Sequence, residues 1–348
     1  MNQLRRLRSP RLAAIVGLVL VMALLIAWDG ARRPADTSAA AATGAAATTK
    51  AEPTTVGAES PDQASAIAAK VIADSTAAVQ LGGPEGQAAR DAVFMGHALT
   101  AANAENQLLA VQTPEQKEAT ALTDTAPAVL AVSQGADYPR AMLVQTTRRQ
   151  SGFPVLTLLV APDAQHGYHV AASATLLSSA YVAGFGPVRY GSPWLADASR
   201  GLGSGGEAVF AEYARVLGYP APQPGEVAFT NDSFASSVHD AAANQASGLG
   251  SAVTYTQTHT YQGIAGGFGL SDNGGSLVFV VLDRADTFKE NSADAVNAPP
   301  VFSALSGKAS IDTEGEQKSL EFLLFAVPTA GKVTLVGARV QPYAASGQ

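Results

Sequence analysis

The run Gly201-Leu202-Gly203-Ser204-Gly205-Gly206 matches the G-x-G-x-x-G pattern that opens dinucleotide-binding helices. In that chemistry the glycines let the backbone approach a pyrophosphate, whose charge sits on a helix N-terminus. The pattern also needs a strand before it, a parallel strand after it and an acid about 20 residues on. Residues 187–200 (PVRYGSPWLADASR) do not read as a strand, and the strands downstream read as antiparallel. The run is therefore read as a link ending in a helix cap, with no cofactor implied.

Asp163, His166 and His169 carry metal-ligating groups close together. On a strand, side chains three apart point to opposite faces, so the two histidines would diverge. A polar hairpin turn explains them without a metal. His97, His239 and His259 read as isolated, His97 on the polar margin of a helix. No serine lies in G-x-S-x-G, none of the seven lysines follows S-x-x-K, and H-E-x-x-H is absent. The chain has no cysteine, which excludes thiol chemistry, disulfides and a lipidated N-terminal cysteine. Ser/His/Asp triads assemble only in three dimensions, and no serine has a distinctive setting. The motifs therefore assign no catalytic, cofactor-binding or metal-binding residue, and the chain is expected not to be an enzyme.

The address is better marked. Leu12 to Trp28 is an unbroken apolar run preceded by Arg5, Arg6, Arg8 and Arg11. As a helix it spans roughly 26 Å, enough for a thin bilayer core. Arg32 and Arg33 follow, offset by Asp29 and Asp36, so the charge balance keeps the N-terminus cytoplasmic and sends the rest across. Asp29-Gly30-Ala31-Arg32-Arg33 is a poor cleavage site, which favours an uncleaved anchor over a signal peptide. Removing residues 1–33 takes away six of the 22 Lys+Arg and one of the 29 Asp+Glu, leaving a formal charge of −12. Such an acidic body is a poor partner for nucleic acid.

The expected organisation is a basic tail (1–11), a transmembrane anchor (12–28), a disordered Ala/Thr/Pro linker (29–59), a first half (60–180), a connector (181–203), a second half (204–343) and a tail (344–348). The linker holds almost no large apolar side chain to bury. Ser60-Pro61-Asp62-Gln63 is a capping box for a helix with Ile67, Val71, Ile72, Ala78 and Val79 on one face. Another helix is expected over roughly Glu85 to Asn106, and Thr113-Pro114-Glu115-Gln116 opens a short one. Strands follow at 140–148, 155–161 and 168–177, the first two around a Gln150-Ser151-Gly152 hairpin signal. The second half repeats the plan: helices from Ser204 to Leu217 and Asn231 to Ala246, then strands at 253–262, 264–270, 277–283, 318–327 and 332–343. Tyr181, Val182, Phe185, Tyr190, Trp194 and Leu195 are too apolar for a free connector. They are expected to dock between the halves, with Trp194 as the anchor.

Tyr138-Pro139-Arg140 with the hairpin after it, and Gly191-Ser192-Pro193 through Leu195-Ala196-Asp197, resemble a family of uncharacterised membrane-anchored bacterial envelope proteins. The helix-then-sheet order of each half is similar to the cystatin-like fold of nuclear transport factor 2 relatives. The resemblance implies an α+β chain with two helix-plus-curved-antiparallel-sheet halves behind a single N-terminal span, and it carries no activity. The expected function is a membrane-tethered, extracytoplasmic binding or assembly protein of the cell envelope with an envelope protein as partner. The alternative is an apolar small-ligand or lipid binder, or an isomerase-like enzyme, using a cone pocket. Phe268, Phe279, Phe322 and Phe325 are expected to fill the cone.

Overall fold

Ser60 and Gln63 cap each other at the start of α1 (Pro61–Gln80): each side chain accepts from the other residue's backbone N–H. The cap satisfies amides that a helix start leaves free. One face of α1, with Ala64, Ala68, Val71, Ser75, Ala78 and Val79, is buried, and Ser75 donates to the Ile72 carbonyl. These contacts belong to the computed structural model of the chain. It describes residues 55–348 apart from 124–126, 179, 183, 196–205, 224–228, 272–273 and 292–295. The expected anchor, nearly all of the linker and Gly201 to Gly205 lie outside the described residues. Among those described, no helix is long and apolar enough to cross a membrane.

The helix expected over Glu85 to Asn106 is two, α2 (Gly83–Val93) and α3 (Gly96–Leu108). Phe94 and Met95 between them are extended, and the Met95 N–H donates to the Val170 carbonyl. The break turns Phe94 into the core beside Ala98 and Val170, and this burial outweighs helix continuity. Arg90 of α2 is 4% exposed and donates to the carbonyls of Leu81 (2.7 Å) and Ala78 (3.2 Å), where α1 ends. A cation at a helix C-terminus meets both the free carbonyls and the negative end of the dipole.

After the short α4 (Pro114–Thr120) come β1 (Ala128–Val132), β2 (Arg140–Thr147), β3 (Pro154–Ala161) and β4 (His169–Leu176). Beyond the connector lie α5 (Gly206–Val216), α6 (Ser233–Leu249), β5 (Val253–Gly269) and β6 (Ser276–Glu290). A two-stranded pair, β7 (Val296–Asn297) and β8 (Ser310–Ile311), brackets α7 (Pro300–Ser306), and β9 (Glu314–Val327) and β10 (Thr334–Gly347) end the chain. The protein is thus α+β, with seven helices among the described residues and one eight-stranded antiparallel sheet in the order β1-β2-β3-β4-β10-β9-β6-β5. Strand β1, the short pair β7 and β8, and helix α7 go beyond the elements expected. The two strands expected at 253–262 and 264–270 are one strand, β5, bent by irregularities at Tyr261/Gly263 and Ile264/Gly266.

The two runs of strands meet where β4 pairs with β10, Leu176 opposite Gly337 and Thr175 opposite Ala338. The connector joins their far edges. Ser192 N–H donates to Val132 at the end of β1 (2.7 Å), while Leu195 N–H donates to Gly267 (3.0 Å) and Gly269 N–H to Pro193 (2.9 Å) on β5. Hydrogen-bonded backbone therefore runs round a single core. Every strand of the sheet contributes to it: Ala131, Leu143, Leu158, Ala172, Val336, Leu324, Phe279 and Phe268. Trp194 packs against that core with its ring centroid 5.3 Å from that of Phe268. Outside the ring, α1 to α3 cover the first four strands around Met142, Val144 and Leu159. Helices α5 and α6 cover the second four around Val280, Leu282, Leu323 and Phe325.

Candidate functional site

The face of the sheet under α5 and α6 is apolar at one end and polar at the other. Side chains alternate along a strand, so residues two apart share a face. On β6 the face holds Val278, Val280 and Leu282, then Arg284 and Asp286; on β9 it holds Phe325 and Leu323, then Glu321, Ser319 and Gln317. On β5 it holds Tyr261, then His259, Gln257 and Tyr255. Register lines these up in rows. Gln257 lies opposite Asp286 and Asp286 opposite Gln317; His259 lies opposite Arg284 and Arg284 opposite Ser319. At the apolar end Phe210 and Tyr213 of α5 pack on Phe325.

Two pairs, each with a carboxylate member, occupy the polar end. His259 Nδ1 lies 2.9 Å from Glu321 Oε2, with both side chains shut off from solvent. With Nδ1–H donating to the carboxylate, the ring is fixed and Nε2 faces away from Glu321. Arg284 donates from Nε (3.1 Å) and Nη2 (2.9 Å) to Asp286 Oδ1. The same oxygen accepts from the Tyr255 hydroxyl (2.5 Å) and Gln257 Nε2 (2.9 Å). Burial opposes the charge on Arg284, but Asp286, Tyr255 and Glu321 outweigh it and hold the guanidinium above its ordinary range. Burial, reinforced by Asp286, likewise pushes the Tyr255 phenol well above its ordinary value.

Not every polar atom here has a partner. His259 Nε2, Glu321 Oε1, Asp286 Oδ2, Gln257 Oε1 and Ser319 Oγ are buried without a hydrogen bond, as is Gln245 Nε2 on the inward face of α6. Each buried, unsatisfied group costs about 1–3 kcal/mol, and native interiors keep few of them.

The residues singled out in the sequence fall elsewhere. Asp163 and His166 sit in the exposed β3–β4 turn, where Asp163 accepts from the backbone of Gln165 and His166 and from the His166 ring. His169 begins β4, its ring centroid 6.5 Å from that of His166. Among the described residues, no three His, Asp or Glu side chains converge closely enough to hold a metal ion. His97 is exposed near the start of α3, and the His239 ring meets the Val216 carbonyl. His259, read as isolated, is the exception: its carboxylate partner lies 62 residues on in the chain. Phe268, Phe279 and Phe322 fill the core inside the ring, whereas Phe325 faces the helices. The signal that marks the polar end is charge at strand positions in line with apolar ones, Arg284 and Asp286 after VFVVLD and Glu321 before FLLF.

A second feature is a surface cleft of about 620 Å³ beside the start of α6, lined by Leu177, Tyr181, Asn231, Ser233, Leu270 and Leu335 among others. Asp232 there caps α6 by accepting from the Ala235 N–H (2.7 Å) and also accepts from the Tyr213 hydroxyl (3.0 Å). Burial raises its carboxyl above the ordinary range against those hydrogen bonds.

Comparison with protein-family models, with curated proteins and with solved structures finds no match.

Proposed function

We propose that the chain is a membrane-tethered binding or assembly protein of the bacterial cell envelope, acting on the extracytoplasmic side without catalysis. What carries the reading is the order of parts along the chain. An apolar run at 12–28 follows four arginines, a spacer with almost no large apolar side chain comes next, and a well-packed body starts by Ser60. That order suits a body held off a bilayer to meet a partner in the envelope. The first four strands with their helices, and the second four with theirs, support the finer reading of two cystatin-like halves. The likeness to uncharacterised membrane-anchored envelope proteins belongs to the same reading.

Fractionation tests it directly. The full chain should sediment with membranes, and protease added from outside should remove everything beyond the span. Recovery as a soluble secreted protein lacking residues 1–42 would refute the tether. A pull-down from membranes through the tethered chain should then recover an envelope protein.

A second reading is ligand binding beneath α5 and α6, favoured by the unpartnered polar atoms at His259, Glu321 and Asp286. The aromatic end of that face is filled by its own side chains, so the ligand chemistry there is polar.

A further inference from the structure

The unsatisfied atoms under α5 and α6 have a definite chemistry. Glu321 and Asp286 are fully buried, Gln257 is 1% exposed, Ser319 is 0% exposed, and His259 and Gln245 are each 8% exposed. The five strand residues share one face of β5, β6 and β9, and Gln245 lies on the buried face of α6. Glu321 Oε1, Asp286 Oδ2 and Gln257 Oε1 are acceptors, and His259 Nε2 is one when a neutral ring gives its Nδ1–H to Glu321. Ser319 can donate or accept, and only the Gln245 amide nitrogen is a pure donor. The layer therefore lacks donors. It also holds two carboxylates against the one guanidinium of Arg284, which is already engaged by Asp286.

We infer that the part of this layer at Glu321, His259 and Ser319, which lie on adjacent rows of one face, is a binding site for a small primary ammonium ion. An –NH3+ group brings three donors and one positive charge, which matches what the layer lacks. A neutral polyol supplies donors without charge, and an anion adds acceptors where acceptors are already in excess. The inference rests on the ligand-binding reading above and is independent of the tether.

The test is thermal melting of the full chain in detergent with methylammonium chloride, against sodium chloride, glycerol and sodium acetate as matched controls. Methylammonium should raise Tm saturably, by about 5 °C at a hundredfold excess over Kd. The shift should vanish in Glu321→Gln and shrink in Ser319→Ala, a small change that keeps the fold if the larger one does not. An equal saturable shift with glycerol, or saturable binding of acetate alone, overturns the ammonium assignment and leaves the ligand-binding reading standing. No saturable shift with any probe, or a methylammonium shift unchanged in Ser319→Ala and Glu321→Gln, overturns both. Neither result touches membrane fractionation.

Discussion

Asp286 gathers a guanidinium, a phenol and an amide on one oxygen inside a closed layer. Replacing it with alanine removes the carboxylate that Arg284, Tyr255 and Gln257 share, so Asp286→Ala should cost about 3–5 kcal/mol in chemical denaturation. Arg284→Met with Asp286→Leu, removing both charges, should cost much less than Asp286→Ala alone. Asp232 gives a prediction in pH. Its folded carboxyl titrates above the unfolded value because burial disfavours the charge. A raised folded pKa means stability that is full below the unfolded value and lost as pH rises through the folded one. Relative to Asp232→Asn, the wild-type chain should gain stability as pH is lowered from 7 towards 4. A parallel pair of stability curves would refute this.

At the scale of elements, much was legible in the sequence. Ser60, Thr113 and their glutamines mark helix starts by chemistry that acts within four residues, and both caps form. The hairpin of β2 and β3 follows from Gly152. The α2–α3 break was not legible, because it is bought by burying Phe94 against residues more than seventy positions away, such as Val170. The pairing within the polar layer was illegible for the same reason: His259 and Glu321 meet only through the register of β5, β6 and β9. At the connector, a Cβ on Gly266 would fall 2.1 Å from the Trp194 ring, at a φ of +141° that side chains rarely adopt. Trp194→Ala should cost about 3–5 kcal/mol, lowering Tm by several degrees. Gly266→Ala should destabilise as well, and less so in the Trp194→Ala background, since only the backbone strain then remains. Melting curves of the two single variants and the double variant measure that coupling.

For the molecule as a whole, one core shared by all eight strands predicts one cooperative unit. Calorimetry should give a single transition, with calorimetric and van't Hoff enthalpies in agreement. Two resolved transitions would mean that the β4–β10 seam and the connector hold the halves only loosely. The crossing connector has another effect. Exposed strand edges are templates on which other chains can add a strand, whether a legitimate partner or an aggregating copy. Here Ser192 lies against the end of β1, Trp194 against Phe268 of β5, and Tyr219 pairs on both sides with Gln257 further along β5. The end of β1 and two places along β5 are thus held by the chain's own backbone, which shortens the run of free amides and carbonyls open to a visitor. Its sheet should resist the edge-to-edge stacking that seeds fibres.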